Sequence, residues 1–130
     1  MVKAYLLDTC TFLWLTLEPD KLSPRALEVC KNRDNKLFLS AVSAWEIEFK
    51  YRRKKLTLAF DPREFVVIYR TQHLIQALPF FERDVFKHAE LPFHHRDPFD
   101  RMLICQALAS DLTILTPDEE ITAYDVNTDW

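Results

Sequence analysis

The chain has 130 residues, 48% of them hydrophobic, which is the length of a single domain spanning 1–130 with enough apolar material to build its own core. Its formal net charge of -3 argues against bulk electrostatic binding of nucleic acid, although five cations crowd the six residues Lys50-Tyr51-Arg52-Arg53-Lys54-Lys55. Glycine is absent, which excludes a P-loop, a dinucleotide fingerprint and a kinase Gly-rich loop, all of which need close backbone approach to phosphate.

The N-terminus carries one Lys before a short apolar run and does not read as a signal peptide. Ala4-Tyr5-Leu6-Leu7 is the first strand, and it ends at Asp8. A short helix is expected from about Thr11 to Leu17. Ser23-Pro24 has the form of an N-cap followed by Pro at the first helical position, opening a helix to about Lys31. Asn32 to Asn35 is a turn built from Asn and Asp in place of Gly. Leu37-Phe38-Leu39 is the second strand, and a helix from about Ser43 to Arg53 follows it. Asp61-Pro62 opens the next helix, to about Gln72. Leu74 to Leu78 is the third strand and Glu82 to Ala89 a short helix. Asp97-Pro98 opens a long helix to about Ser110, Thr113-Ile114-Leu115 is the fourth strand, and a last strand is expected near Val126. Short apolar runs alternating with helices imply an α/β domain with a mainly parallel sheet. No apolar run approaches the ~20 residues of a membrane span. Cys10, Cys30 and Cys105 are odd in number and never at metal-ligand spacing, so they read as reduced, mostly buried thiols of a cytoplasmic protein.

Four acids stand out in this frame. Asp8 and Asp118 each lie just past a short apolar strand, and open α/β sheets bind ligands outside the carboxyl ends of their strands. Each also fits the plainer role of capping the next helix. Glu46 lies beside a stripe of Val42, Trp45 and Phe49 that should face the core. A buried carboxylate there needs a cation nearby, and Arg53 is one source. Asp100 shares a face with Leu103, Ile104 and Ala107 on a helix that is apolar nearly all round, though it also suits a helix first turn. Asp97 is the natural N-cap before Pro98. Carboxylates from four segments meeting at one sheet edge would repel unless a cation neutralised them. Oxygen-only ligands point to Mg2+ or Mn2+ rather than zinc.

The stretches "LLDTCTFLWL" at 6–15, "LSAVSAWEIEFK" at 39–50, "HRDPFDRMLICQAL" at 95–108 and "LTILTPDEEI" at 112–121 carry a family likeness. The chain resembles the PIN-domain ribonucleases, and within them the VapC-type toxins of bacterial toxin–antitoxin pairs. The resemblance implies a three-layer α/β/α fold around a parallel sheet of four to five strands. It makes Asp8, Glu46, Asp100 and Asp118 the catalytic, metal-holding acids, with Thr9 and Thr116 as supporting hydroxyls. It further implies an RNA substrate, Mg2+ or Mn2+ as cofactor, a small silencing antitoxin and a homodimer. Relatives often have Gly after the long helix; here Ser110-Asp111 stands instead.

Other residues are open to two readings. Lys50, Arg52, Arg53 and Lys54 could follow an RNA backbone or simply suit a helix C-terminus. Arg101 could contact phosphate or form a structural pair, and Tyr51 could stack on a base. His94 and His95 fit a solvated loop better than a ligand pair. Phe12, Trp14 and Trp45 fit core or dimer packing better than base platforms. A dehalogenase-type phosphatase needs an acid where Cys10 stands, and a receiver domain needs an acidic pair and a late strand-end Lys that are missing. A non-catalytic PIN-fold module is the remaining alternative.

Overall fold

The computed structural model describes residues 3–94 and 96–130. In chain order these form β1 (Ala4–Leu7), α1 (Thr9–Leu17), α2 (Pro24–Lys31), β2 (Lys36–Ser40), α3 (Ala41–Arg52), α4 (Pro62–Gln72), β3 (Ile75–Leu78), α5 (Glu82–Lys87), α6 (Pro98–Ser110), β4 (Thr113–Leu115), α7 (Glu119–Thr122) and β5 (Thr128–Asp129). Single 3-10 turns occupy Pro19–Lys21 and His88–Glu90. No helix among the described residues is long and apolar enough to cross a membrane.

The five strands run parallel in the order β3-β2-β1-β4-β5. Leu6 pairs with Phe38 on one side and Ile114 on the other. Because side chains alternate along a strand, Tyr5 and Leu7 enter one core with Phe12, Val29, Ile47 and Phe65. Leu6 enters the other, with Leu103, Ile104, Ile114 and Ile121. The sheet is thus covered on both faces, as parallel sheets require, and the architecture is the three-layer α/β/α fold. Chain order reverses direction across the sheet between β1 and β4, and that is the switch point where such sheets hold ligands.

Side-chain caps set the helix starts. Ser23 accepts from Ala26 N, Ser40 from Val42 N and Asp61 from Arg63 N, with Pro at the start of α2 and α4. Without glycine, the left-handed positions fall to Lys54, Leu74 and Asp111. Asp111 ends α6 in the place where a Gly would be the least strained choice. Leu74 likewise ends α4 at φ 57° and stands outside β3. The caps Asp8 and Ser40 start α1 and α3 two residues earlier than the apolar pattern suggests. The short helix expected to reach Ala89 ends at Lys87 and continues as a 3-10 turn, and the last strand lies at Thr128–Asp129 rather than at Val126.

Two expectations fail. The stripe Val42, Trp45 and Phe49 does not face the core: Val42 is buried, but Trp45 is 55% and Phe49 42% exposed. The buried face of α3 is Val42, Ser43, Glu46 and Ile47, because α3 wedges between both cores instead of lying flat on one. The cysteines are not mostly buried either: Cys10 is exposed, Cys30 half-buried and Cys105 buried. Phe12 is core, and Trp14 packs half-buried against Trp130. Trp45 meets the ring of Phe99 edge-on, with centroids 5.4 Å apart.

Candidate metal centre

Asp8 leaves β1 directly into α1 and is buried, with 4% of its surface exposed. Its Oδ1 accepts from Thr11 N at 2.8 Å, which caps the helix. Its Oδ2 accepts from the Thr116 hydroxyl at 2.5 Å, just past β4. Burial pushes the Asp8 carboxyl above the usual range; the Thr11 and Thr116 hydrogen bonds oppose this, and the charge of Asp118 adds to it. Asp8 therefore serves as a cap and as a carboxylate at the switch point together.

Asp118 is tied to the same place. Its backbone N–H donates to Thr116 Oγ1 at 3.0 Å, and its side chain accepts from Glu120 N to start α7. One threonine thus orients both acids across β1 and β4.

Glu46, equally buried at 4% exposure, lies in the second turn of α3. Its Oε1 accepts from the Thr9 hydroxyl at 2.6 Å, and Ser43 Oγ stands 3.0 Å from that same hydroxyl. Its Oε2 accepts from Lys50 Nζ at 2.5 Å. The basic partner expected for Glu46 is thus Lys50, while Arg53, the other candidate, lies over the Phe49 ring. Burial works against the Lys50 ammonium, but Glu46 and then the fields of Asp97 and Asp100 outweigh it and raise its pKa. Those two acids enter from the N-terminus of α6, where Asp97 accepts from Phe99 N and Asp100 N. Burial pushes the Cys10 thiol up to about 11, with the negative charges of Asp8 and Glu46 adding to the effect.

The acids are therefore linked electrostatically in two groups: Asp8 with Asp118, and Glu46 with Asp97 and Asp100 through Lys50. Among the described residues no three His, Cys, Asp or Glu side chains stand close enough to hold one ion together. The donors are all hard oxygens, and the buried Glu46 already draws a cation, so the chemistry fits a divalent ion. Like charges without an ion between them have reason to stand apart.

Other sequence candidates fall elsewhere. Arg101 is buried: it donates to Tyr124 OH at 2.7 Å, the Pro92 carbonyl at 3.0 Å and His88 Nε2 at 3.2 Å. It is a tether for the loop before α6. Arg52 is exposed and paired with Glu48 and Asp61. Tyr51 is stacked against by the Arg52 guanidinium, and Lys54 is exposed at the left-handed end of α3. His94 is an exposed loop residue whose N–H donates to Tyr124 OH, and His95 lies outside the described residues. Sequence reasoning missed Ser43, and it expected a basic partner for Glu46 without naming Lys50, which was signalled by Glu and Lys four apart on one helix.

The PIN domain family model matches residues 5–127. The chain belongs to the PIN domain family. Among solved structures, this PIN domain is similar to VapBC2 from Rickettsia felis bound to a promoter DNA fragment. The two share 16% identity and a TM-score of 0.73 over 97% of each chain. It also resembles FitAcB from Neisseria gonorrhoeae, at 20% identity and a TM-score of 0.61 over 95% of each chain. DNA-bound VapBC from Salmonella typhimurium matches at 16% identity and a TM-score of 0.62, over 99% of this chain and 98% of that one. At these identities the likenesses establish the fold. No curated protein sequence matches the chain.

Proposed function

We propose that this PIN domain is a Mg2+- or Mn2+-dependent endoribonuclease, the toxin of a toxin–antitoxin pair. The observation that carries this is the pair of buried carboxylates at the switch point, Asp8 and Glu46, each held by a threonine hydroxyl. Burying two charges is costly unless a cation compensates them. Asp8, Glu46, Asp100 and Asp118 would hold the ion, and Thr9 and Thr116 fix the first two in orientation. Bound there, a divalent ion supplies Lewis-acid charge to a phosphoryl oxygen and lowers the pKa of a water. The chain's own part is to aim the carboxylates and to keep them in a partly dry environment where their charge acts strongly. Arg53 and Lys54, both exposed, suit an RNA backbone, while Lys50 and Arg52 are engaged within the chain.

The toxin reading draws on the VapBC and FitAcB structures, whose fold this chain shares. It brings a small antitoxin partner and a homodimer with it. The alternative, a non-catalytic module, draws on Lys50 already satisfying Glu46. The test is cleavage of structured RNA in Mg2+ or Mn2+ and its loss in chelator. Asp8→Asn, Glu46→Gln and Asp100→Asn should each abolish cleavage in folded protein; wild-type rates in all three would place the chemistry elsewhere. Expression in a bacterial host should arrest growth, with relief by a small co-expressed partner. Normal growth with abundant active protein would refute the toxin role.

A further inference from the structure

Glu46 has two carboxylate oxygens, and both are engaged. Thr9 holds Oε1, and the Lys50 ammonium holds Oε2. The Lys50 side chain is 45% exposed, so its head can swing to water on a flexible stem without unpacking the core. Its ammonium feels Glu46, Asp97 and Asp100 together, so it stands among carboxylates from α3 and α6. The neighbouring cations point away: Arg52 pairs with Glu48 and Asp61, and Arg53 covers Phe49. Lys50 is thus placed where a second cation among these acids would stand.

A divalent ion on Glu46 Oε2 and an ammonium on the same oxygen repel each other and claim the same lone pairs. We propose that Lys50 is a tethered competitor for the metal: it neutralises Glu46 in the metal-free protein and must leave before a divalent ion can bind. This rests on the reading of Glu46 as a metal ligand. The device makes metal affinity weaker than the acids alone would give, and it keeps Glu46 from standing as an uncompensated buried charge in the metal-free domain. The released ammonium stays within the field of Asp97 and Asp100.

The two consequences have opposite signs, which separates this role from others. Lys50→Gln should lower the melting temperature in chelator, because Glu46 loses its counter-charge. The same variant should bind Mn2+ about tenfold more tightly, or about 1.4 kcal/mol. A purely structural lysine would give the first effect without the second, and an RNA-contacting lysine would give neither. Calorimetric titration with Mn2+ alone, on full-length wild type, Lys50→Gln and Arg53→Gln, reads the affinities. Arg53→Gln removes the same charge from the end of α3 without touching Glu46, and should leave the affinity within about twofold. Equal affinity for wild type and Lys50→Gln would overturn the competition. An equal gain in Arg53→Gln would also overturn it, since general charge would then suffice. Uptake of no Mn2+ by any of the three would refute the metal site itself, and the competition with it.

Discussion

Asp8→Asn isolates the cost of burying a charge. The substitution keeps the side-chain shape, and Asn is as good a helix cap as Asp, so the Thr11 contact that starts α1 survives. What changes is the charge. Burial raises the Asp8 pKa in the folded protein, with Asp118 adding to the effect. A carboxyl with a raised folded pKa favours folding fully below its unfolded value of about 3.9, and that contribution is lost as pH rises through the folded pKa. Above that window the ionised Asp8 works against folding. In chelator at neutral pH, Asp8→Asn should therefore melt higher than wild type. The gain from removing the buried charge is held to the order of 1 kcal/mol, because the amide gives a weaker partner to the Thr116 hydroxyl than the carboxylate does. For a domain of this size that is a shift of roughly 4 °C. The difference should shrink as pH falls toward 4 and should reverse when Mn2+ is added, since only wild type gains by mass action. Melting curves across pH, with chelator and with Mn2+, provide the assay. A variant that is less stable at every pH, or whose advantage does not change with pH, would refute the reasoning.

Thr116→Val removes the donor to Asp8 and the acceptor for Asp118 N, so it should destabilise by about 1–2 kcal/mol. It should also move the Asp8 carboxyl titration upward, read by carbon-13 NMR, because that hydrogen bond lowers the pKa. Arg101→Met strands the acceptors on His88, Pro92 and Tyr124 and should cost about 2–3 kcal/mol in urea unfolding with Mn2+ affinity unchanged; lost affinity at full stability would return Arg101 to the site. Asp111→Gly relieves the left-handed position at φ 54° and should raise stability by on the order of 0.5 kcal/mol, net of the added freedom of the unfolded chain. A fall in its urea midpoint would contradict that assignment.

The mainly parallel sheet was legible because short apolar runs alternate with helices, several of them opened by marked starts at Ser23-Pro24, Asp61-Pro62 and Asp97-Pro98. The acids Asp8 and Asp118 were legible from their positions after strands. The face of α3 was not. A helix touching both cores carries apolar side chains nearly all round, so Trp45 and Phe49 gave a stripe that period alone could not distinguish from the buried one of Val42 and Ile47. The tethering contacts of Arg101 were out of reach for a related reason: its acceptors are a loop carbonyl, a histidine and a tyrosine brought in from distant segments, which no local spacing records. The Lys50–Glu46 pair was written in the helix spacing but was masked by the run of cations around it.

We propose that Asp8, Glu46, Asp100 and Asp118 together hold the divalent-ion centre. Anomalous scattering from a crystal grown with Mn2+ tests it most directly. A peak is expected between these four carboxylates, with Lys50 Nζ withdrawn from Glu46 Oε2. A peak bound elsewhere, or none, with Lys50 still seated on Glu46 in the presence of saturating Mn2+, would contradict it.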